Sequence, residues 1–406
     1  MRAVAPTRML PAMKRNLGGA AILAVLVLVL AACGTATDPS VAPSSTPLPS
    51  VPVSVAPSAQ PEPSRAPTPP AATYEPATVP QTENSTAATI IVPGGEGLIA
   101  IGFDGEFGSI LWTSADDGRT WTDITPAEFA SIGIASVIEF DGMLVGVGRG
   151  ETINVDAQEA AVYLSDDGVA WRKVTKAEDM VGQLIDVVAT DEGLFAVGGV
   201  ASADAAGIWH STDGETWERI GGDFPASFMW TIAEGGPGLI VGGWRRNPEP
   251  DLTVWTSADA GVTWQMAPDP EGFAGSEATD IAPLSDGSLA MVGSSFDGTG
   301  GRIWHSTDGV EWSLVVDDLG EGAWARNLGS TPIGLVAAGS GGEMRGAAWA
   351  STDGLTWSPL GDPIEGAFIT GIHPTGDAIL FSGATQAGTL ETGIQAHAAI
   401  WLATFD

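Results

Sequence analysis

Residues 209–217 read Trp-His-Ser-Thr-Asp-Gly-Glu-Thr-Trp, and five variants of this stretch occur elsewhere in the 406-residue chain. In each copy an aromatic residue lies two positions before a Ser, and an Asp, a Gly and a Trp follow. This order is typical of a tight turn between two strands, because Asp side chains accept hydrogen bonds from turn amides and Gly adopts positive φ without strain. The six aspartates are Asp116, Asp167, Asp213, Asp259, Asp308 and Asp353.

A second pattern, an apolar run that ends in Gly, occurs seven times at spacings of 44 to 50 residues. Seven residues before the start of each run lies another apolar residue, which indicates two short strands joined by a turn. A period of this length with four strands in each unit is typical of β-propeller blades. The preceding apolar residues are Ile91, Val137, Val187, Ile232, Ala282, Leu328 and Ile372.

The seventh unit reaches Trp401 and has Ala403 where the other units have Ser, so its fourth strand is missing. A strand near the N-terminus is the candidate to replace it, because Thr73-Tyr74-Glu75 resembles Thr216-Trp217-Glu218. We therefore predict that residues 73–80 form the outer strand of the last blade, an edge position where Pro is tolerated. The predicted fold class is all-β: residues 73–406 form a single seven-bladed β-propeller with four-stranded antiparallel blades.

The six turn motifs resemble the Asp box, or BNR repeat, of sialidase-like β-propellers, and the resemblance covers residues 88–406. It implies that the six aspartates are structural and that the following Trp pins each turn onto its blade. Sialidases use an arginine triad, a Tyr–Glu pair and an Asp. Here the only tyrosines are Tyr74, in the expected closing strand, and Tyr163, in the aromatic slot of the second repeat. The Arg-Ile-Pro type motif is also absent, so a sialidase is not expected and no catalytic residue is predicted.

The N-terminal 32 residues have the pattern of an export signal. Four basic residues precede an apolar run from Gly18 to Ala32, which is shorter than the roughly 20 residues that a membrane-spanning helix needs. The run ends in Leu30-Ala31-Ala32-Cys33-Gly34, which resembles the bacterial lipoprotein lipobox. The resemblance implies cleavage before Cys33, a lipid on Cys33, and anchoring on the extracytoplasmic side of the cell membrane. The alternative is an ordinary signal peptide with a chance Cys.

Residues 33–72 connect this anchor to the propeller. Between Gly34 and Ala72 there are 11 Pro among 39 residues, together with many Ser, Thr and Ala. Such a segment cannot bury a core and is expected to be extended, partly as polyproline II. We predict a stalk that holds the propeller away from the membrane.

Composition excludes several functions. The chain has 50 acidic against 16 basic residues, a formal net charge of −34, which argues against nucleic acid as a partner because nucleic acid is itself a polyanion. A single Cys rules out an internal disulfide and a multi-cysteine metal site. The four His have no ligand-like spacing, so neither a metal nor a cofactor is predicted.

Three of the 15 Trp residues do not occupy repeat positions, and chain direction places them on the face opposite the turns, in blades four and six. Exposed Trp with polar neighbours suits stacking on a sugar or binding a peptide, although Trp can also fill wedges between blades. We expect a monomeric, non-catalytic binding or assembly module for a glycan or an extracytoplasmic protein. The alternative is a divergent carbohydrate-active hydrolase that uses two carboxylates. The candidate ligand-face residues are Trp230, Trp244, Arg245, Arg246, Asp280, Trp324 and Arg326.

Overall fold

The computed structural model contains 29 β-strands and one short 3-10 helix in the part of the chain that it describes. The predicted signal peptide, Cys33 and nearly all of the predicted stalk lie outside the described residues. Within the described ranges, no helix has the length and apolar character needed to cross a lipid bilayer. The described ranges are 70–81, 85–105, 108–150, 159–174, 180, 182–200, 205–225, 227–246, 248–268, 272–298, 300–320, 322–376, 378–387 and 395–405.

The first half of the chain forms three antiparallel sheets, each with four strands in chain order from the centre outward. One further strand precedes them and pairs within the last sheet. A 3-10 helix, Ala127–Ser131, connects the first sheet to the second. The strands are β1 (Ala72–Pro76); in blade one β2 (Ser85–Gly94), β3 (Gly97–Asp104), β4 (Ser109–Ser114) and β5 (Thr122–Asp123); in blade two β6 (Gly133–Phe140), β7 (Met143–Arg149), β8 (Ala160–Ser165) and β9 (Arg172–Lys173); and in blade three β10 (Gln183–Thr190), β11 (Gly193–Val200), β12 (Ala205–Ser211) and β13 (Glu218–Pro225).

The second half forms four more antiparallel sheets, of which the sixth has an additional short strand and the seventh has three strands of its own. The strands are, in blade four, β14 (Ser227–Gly235), β15 (Gly238–Arg246), β16 (Pro250–Ser257) and β17 (Gln265–Met266); in blade five β18 (Ser276–Pro283), β19 (Leu289–Ser295), β20 (Gly301–Ser306) and β21 (Ser313–Val316); in blade six β22 (Ala323–Thr331), β23 (Gly334–Gly341), β24 (Arg345–Ser351), β25 (Ser358–Pro359) and β26 (Ile364–Glu365); and in blade seven β27 (Ala367–Thr375), β28 (Ala378–Ala387) and β29 (Gln395–Phe405).

The seven sheets form a closed ring, which confirms the predicted all-β, seven-bladed β-propeller. The innermost strand of each blade contacts the innermost strand of the next, and β27 contacts β2 again. Side chains buried between neighbouring blades make up the core, and large aromatic rings dominate it. Trp112, Trp209 and Trp304, which precede the Ser of their motifs, are almost completely inaccessible to solvent.

The N-terminal strand closes the ring, as predicted. β1 pairs antiparallel with β29, with Thr73 opposite Thr404 and Pro76 opposite Trp401. The ladder covers residues 72–76 rather than 73–80. Beyond Ala77 the chain leaves the ladder and continues to blade one, where Thr78 bridges Thr120 and its carbonyl oxygen accepts a bond from the Trp121 amide at 2.9 Å. Residues 77–80 therefore connect the last blade to the first.

Tyr74 anchors the closing strand from within. Its ring packs edge-on against Phe381 of β28 at 5.5 Å between ring centroids, and its hydroxyl donates a hydrogen bond to the Leu360 carbonyl of blade six. Burial raises the pKa of the Tyr74 phenol well above its usual value. One side chain thus ties β1 to two blades.

The six repeated turns share one hydrogen-bond arrangement. In each turn the Gly amide donates to the Ser hydroxyl at 2.8–3.0 Å, the Asp carboxylate accepts amides that follow it, and the Trp indole donates to the Gly carbonyl at 2.8–3.1 Å. Bonds from the Thr120 hydroxyl and amide lower the pKa of Asp116 to about 2. In the two longer turns the additional residue, Asp117 or Ala260, adopts positive φ.

One assignment based on spacing is wrong by a residue. The sequence pattern places Ala282 at the position occupied by Ile232 in blade four, but the strand pairing places Ile281 there, opposite Met291. The turn between β18 and β19, counted from Ile281 to Leu289, contains one more residue than the turns between the first and second strands of the other blades. A fixed spacing of seven residues therefore reaches Ala282 instead of Ile281.

Truncation from the N-terminus tests the role of β1. Removing residues 1–69 should leave the melting temperature of the protein unchanged, because the ladder with β29 and the Tyr74 contacts remain. Removing residues 1–80 should lower it by roughly 10 °C, because it exposes the edge of β29 and deletes the partly buried Tyr74 ring and its contacts with two blades. Differential scanning calorimetry measures both, and equal melting temperatures would contradict the assigned role.

Candidate functional site

All three Trp residues outside the repeat lie at the same end of the ring, opposite the six turns. Trp230 and Trp324 lie near the start of the inner strands β14 and β22, and Trp244 lies near the end of β15. The pairing register places Trp244, opposite Phe228, and Trp324, opposite Ser340, at the same level, and Trp230 lies two residues beyond Phe228 along β14. We call this end of the ring the mouth face.

Every inner strand has a β-bulge at the same level, and two of the seven bulge residues belong to the surface described below. All seven pairs of first and second strands shift register there, so that the inner strand carries one extra residue. Bulges bend a strand and re-aim side chains, and they are frequent beside functional sites. The extra residues are Thr89, Ala135, Ile185, Trp230, Thr279, Arg326 and Thr370.

Glu277, at the start of β18, connects three blades at the mouth face. Its carboxylate accepts a hydrogen bond from the Trp230 indole of blade four at 3.0 Å and forms an ion pair with Arg326 of blade six at 3.1 Å. The Glu277 side chain is only 9% exposed, whereas the Arg326 side chain is 29% exposed. A buried carboxylate that is both paired and hydrogen-bonded holds its partners in fixed positions.

Contacts between aromatic rings extend this set of interactions within blade four on one side and to blade seven on the other. The Phe228 ring contacts Trp230 at 4.7 Å and stacks on Trp244 at 6.1 Å, while Trp324 stacks on Phe368 of blade seven at 6.3 Å. All three Trp side chains are partly exposed. With the buried Phe228 and Glu277 side chains, the partly exposed Trp rings, Arg326 and Phe368 form an arc across blades four to seven. We call it the mouth arc; it comprises Phe228, Trp230, Trp244, Glu277, Trp324, Arg326 and Phe368.

Two arginines, one of them a member of this arc, lie over its Trp rings. The guanidinium carbons of Arg246 and Arg326 lie 5.6 Å from the ring centroids of Trp244 and Trp324, respectively, a distance at which cation–π attraction operates. Arg245 has a different environment, because its guanidinium lies 3.6 Å from the sulfur of Met266 on the outer strand of blade four. The adjacent Arg245 and Arg246 therefore contact different partners, Met266 and Trp244, respectively.

Asp280 lies deeper in the central channel than the mouth arc. Its carboxylate accepts bonds from the Thr231 hydroxyl at 3.2 Å, its neighbour Ile281 at 2.8 Å and the Leu328 amide of the next blade at 2.7 Å. The inner edge of each innermost strand has no further strand to pair with, so its amides need other acceptors. Asp280 is the acceptor for two such amides, those of Ile281 and Leu328. Together with the bond from Thr231, these bonds join blades four, five and six.

Asp186 does the same for blades two, three and four. It accepts bonds from the Ser136 hydroxyl at 3.0 Å, the adjacent Val187 amide at 2.9 Å and the Ile232 amide at 3.0 Å. Desolvation raises the pKa of both carboxyls, and the nearby Asp186 charge helps to raise that of Asp280 to about 7. Both side chains nevertheless keep partial contact with the channel.

An imidazole takes this role between blades seven and one. The Nδ1 atom of His373 accepts a bond from the Ile91 amide at 3.3 Å, and its Nε2 lies 2.8 Å from the Ser382 hydroxyl. Burial lowers the pKa of His373 to about 3, so the ring is neutral. Asp186, Asp280 and His373 are thus connectors between blades.

Sequence reasoning did not identify Glu277, Asp186 or the Phe228 and Phe368 rings. Asp186 and Asp280 occupy equivalent positions, each two residues after a buried inner-strand residue. An alignment of the inner strands with one another would therefore have identified both. Nothing in the sequence pattern marks Glu277, because its equivalents in neighbouring blades are Phe228 and Trp324. In the described part of the chain, no three His, Cys, Asp or Glu side chains are arranged to hold a metal ion.

No family model and no curated protein sequence matches this chain. Solved structures that resemble it include a catalytically inactive virginiamycin B lyase from Staphylococcus aureus with quinupristin, at 14% identity and a TM-score of 0.58, over 82% of this chain and all of the lyase. An α-L-arabinofuranosidase from Fusarium graminearum has 14% identity and a TM-score of 0.44 over 82% of this chain and 97% of that enzyme. A Trypanosoma rangeli sialidase has 13% identity and a TM-score of 0.44 over 71% of this chain and 56% of the sialidase. At these identities the likeness concerns the fold.

The raised pKa of Asp280 predicts a pH-dependent stability. The folded protein holds the Asp280 proton more tightly than the unfolded chain, whose Asp has a pKa near 4. The resulting contribution to the free energy of unfolding is fully present below about pH 4 and is lost as the pH rises to about 7. The loss amounts to at most about 1.4 kcal/mol per pH unit.

The Asp280→Asn variant isolates this contribution. Its amide does not titrate, but its NH2 group faces the Leu328 amide, so we expect a less stable protein at pH 5. The stability gap to the wild type should narrow between pH 5 and pH 8, as measured by urea unfolding at four pH values. Parallel pH profiles for the two proteins would show that Asp280 does not titrate in this range.

Proposed function

We propose that this protein is a lipid-anchored, extracytoplasmic β-propeller that acts as a non-catalytic binding or assembly module for a glycan or protein partner. Its six repeated turns are Asp boxes in this proposal, and the mouth face is the binding surface. The candidate residues Trp230, Trp244, Arg246, Trp324 and Arg326 belong to the mouth arc or lie against it. Asp280 supports that face from inside the channel.

The observation that carries the proposal is the preorganised mouth arc. Glu277 holds Trp230 and Arg326 through bonds of 3.0 and 3.1 Å, so these side chains lose little freedom when a partner binds. Partly exposed Trp rings offer large rigid contact areas, and sugars or peptide side chains stack on such rings. An anionic partner is disfavoured overall by the formal charge of −34.

The engagement of the central carboxylates supports binding over hydrolysis. A two-carboxylate glycosidase needs an acid and a base or nucleophile about 5–9 Å apart, both facing the substrate. Glu277 is paired with Arg326, and both oxygens of Asp280 and of Asp186 accept bonds from protein donors. These three carboxylates serve the fold rather than a substrate in our proposal.

Substitution of two mouth-arc Trp residues tests the binding surface. The Trp244→Ala/Trp324→Ala variant should reduce by at least tenfold the glycan-array or crosslinking pull-down signals of the wild-type protein, because it removes two stacking surfaces. The matched control is Val262→Ala/Leu355→Ala, since both residues are exposed, at 73% and 52%, on turns at the opposite face. Equal signals for both variants, with melting temperatures confirming folded proteins, would remove the mouth face from the proposal.

Metabolic labelling tests the anchor. Because Cys33 is the only Cys of the chain, the wild-type protein should incorporate palmitate and fractionate with membranes, whereas Cys33→Ser should do neither. Cys33→Ala serves as a second substitution that removes the thiol without adding a hydroxyl. Membrane retention of both variants would show that another segment anchors the protein.

A further inference from the structure

A groove between blades three and four arises from a feature of blade three that no other blade has in the described residues. Its outer strand, β13, has eight residues, whereas the outer strands of the other blades have two to five. Pairing with β12 skips from Ile220 to Phe224, so residues 221–223 bulge out of the ladder. At this bulge the backbone of blade three approaches blade four, which narrows the space between the two blades.

Glycine makes this close approach possible. Gly221 has a φ of 77°, and a Cβ atom there would lie 2.6 Å from atoms of the Trp264 indole. The bulge backbone therefore packs directly on the Trp264 ring, with Phe224 following it into the gap. Phe224 meets Trp255 and Trp264 edge to face, at 6.1 and 6.3 Å between centroids. The result is a rigid aromatic wall.

The groove has a volume of about 500 Å³, and beside this wall it is lined by Arg245, Met266, Arg246 and Asp223. The Asp223 carboxylate lies 3.6 Å from the Arg219 guanidinium. A volume of this size suits a small organic ligand. Met266 is 47% exposed although it is apolar. The Arg245 guanidinium lies 3.6 Å from its sulfur, so a charged group and a polarisable apolar group lie side by side.

Arg245 differs from the other basic residues of the described chain. Seven of them lie within 4.0 Å of a carboxylate: Arg119, Arg172, Lys173, Arg219, Arg302, Arg326 and Arg345. Arg149 is close enough to Asp104 to feel its charge, and Arg246 lies over Trp244. Among the described residues, Arg245 has no carboxylate partner, although the chain has 50 acidic residues. Its guanidinium remains available to an anion in the groove.

We propose that this groove binds a small molecule in which a carboxylate is attached to a ring with a flat apolar face. Arg245 pairs with the carboxylate, for which its planar guanidinium is well suited. The ring lies against the partly exposed indole of Trp264, which Phe224 supports from behind. Aromatic acids and uronic acids share this chemistry. The groove adjoins the mouth arc at Arg246, but Arg245, Met266 and Trp264 do not belong to the arc, so substitutions at these residues test the two proposals separately.

Calorimetric titration of the purified full-length protein in detergent tests the site with two acids, 3-phenylpropanoate and glucuronate. At least one acid should bind saturably, and its neutral counterpart, 3-phenylpropanamide or glucose, should bind at least tenfold more weakly. The acid that binds identifies the ligand source. Failure of both acids to bind, or equal binding of acid and neutral probe, would overturn the proposal.

Two substitutions assign the binding to Arg245. Arg245→Gln should weaken binding of the acid at least tenfold, because it removes a charge-assisted hydrogen bond to the carboxylate. Met266→Glu should have the same effect by placing a carboxylate next to Arg245, whereas Met266→Gln, of equal size, should bind like the wild type. Trp324→Ala should leave this binding unchanged. Wild-type affinity in Arg245→Gln would exclude the groove as the site.

Discussion

The pairing of β1 with β29 is the contact on which the ring depends. Each blade covers its buried faces with its two neighbours, so the seven sheets share one continuous core only if the ring closes. The last blade has three strands of its own, and a strand from far away in the sequence completes it. Because β1 contributes Tyr74 to blades six and seven and the segment after it, residues 77–80, contacts blade one, closure is an interaction of three blades.

A second constraint acts at the centre of the ring. Seven inner strands expose their free edges to the channel, and their amides must find acceptors. Asp186, Asp280 and His373 supply acceptors to amides on the neighbouring blades. The two carboxyls have raised pKa values because they are held away from bulk water. These carboxyl and imidazole groups, which are of the types common in active sites, therefore hydrogen-bond to neighbouring blades.

The mouth arc and the groove between blades three and four use the same residue types in different ways. At the mouth, Arg326 is paired with Glu277 and the Trp rings are held in place from several blades. In the groove, Arg245 has no carboxylate partner among the described residues and lies beside exposed Met266. A surface whose charges are already paired suits recognition by shape and stacking, whereas an unpaired arginine suits recognition of an anion.

The repeat in the sequence determined the fold class, the number of blades and the strand that completes the last one, because periodic apolar runs and Asp–Gly turns are local signals. It also placed Trp230, Trp244 and Trp324 on the correct end of the ring, since chain direction alternates strictly within a blade. Only the tertiary structure decided that Trp230 is equivalent to Arg326 rather than to Trp324, because the bulge shifts the register. It alone brought Glu277 between Trp230 and Arg326, and placed Arg245 beside Met266 and Arg246 over Trp244. Those contacts join residues from different blades, and spacing along one chain carries no information about which side chains meet across two sheets.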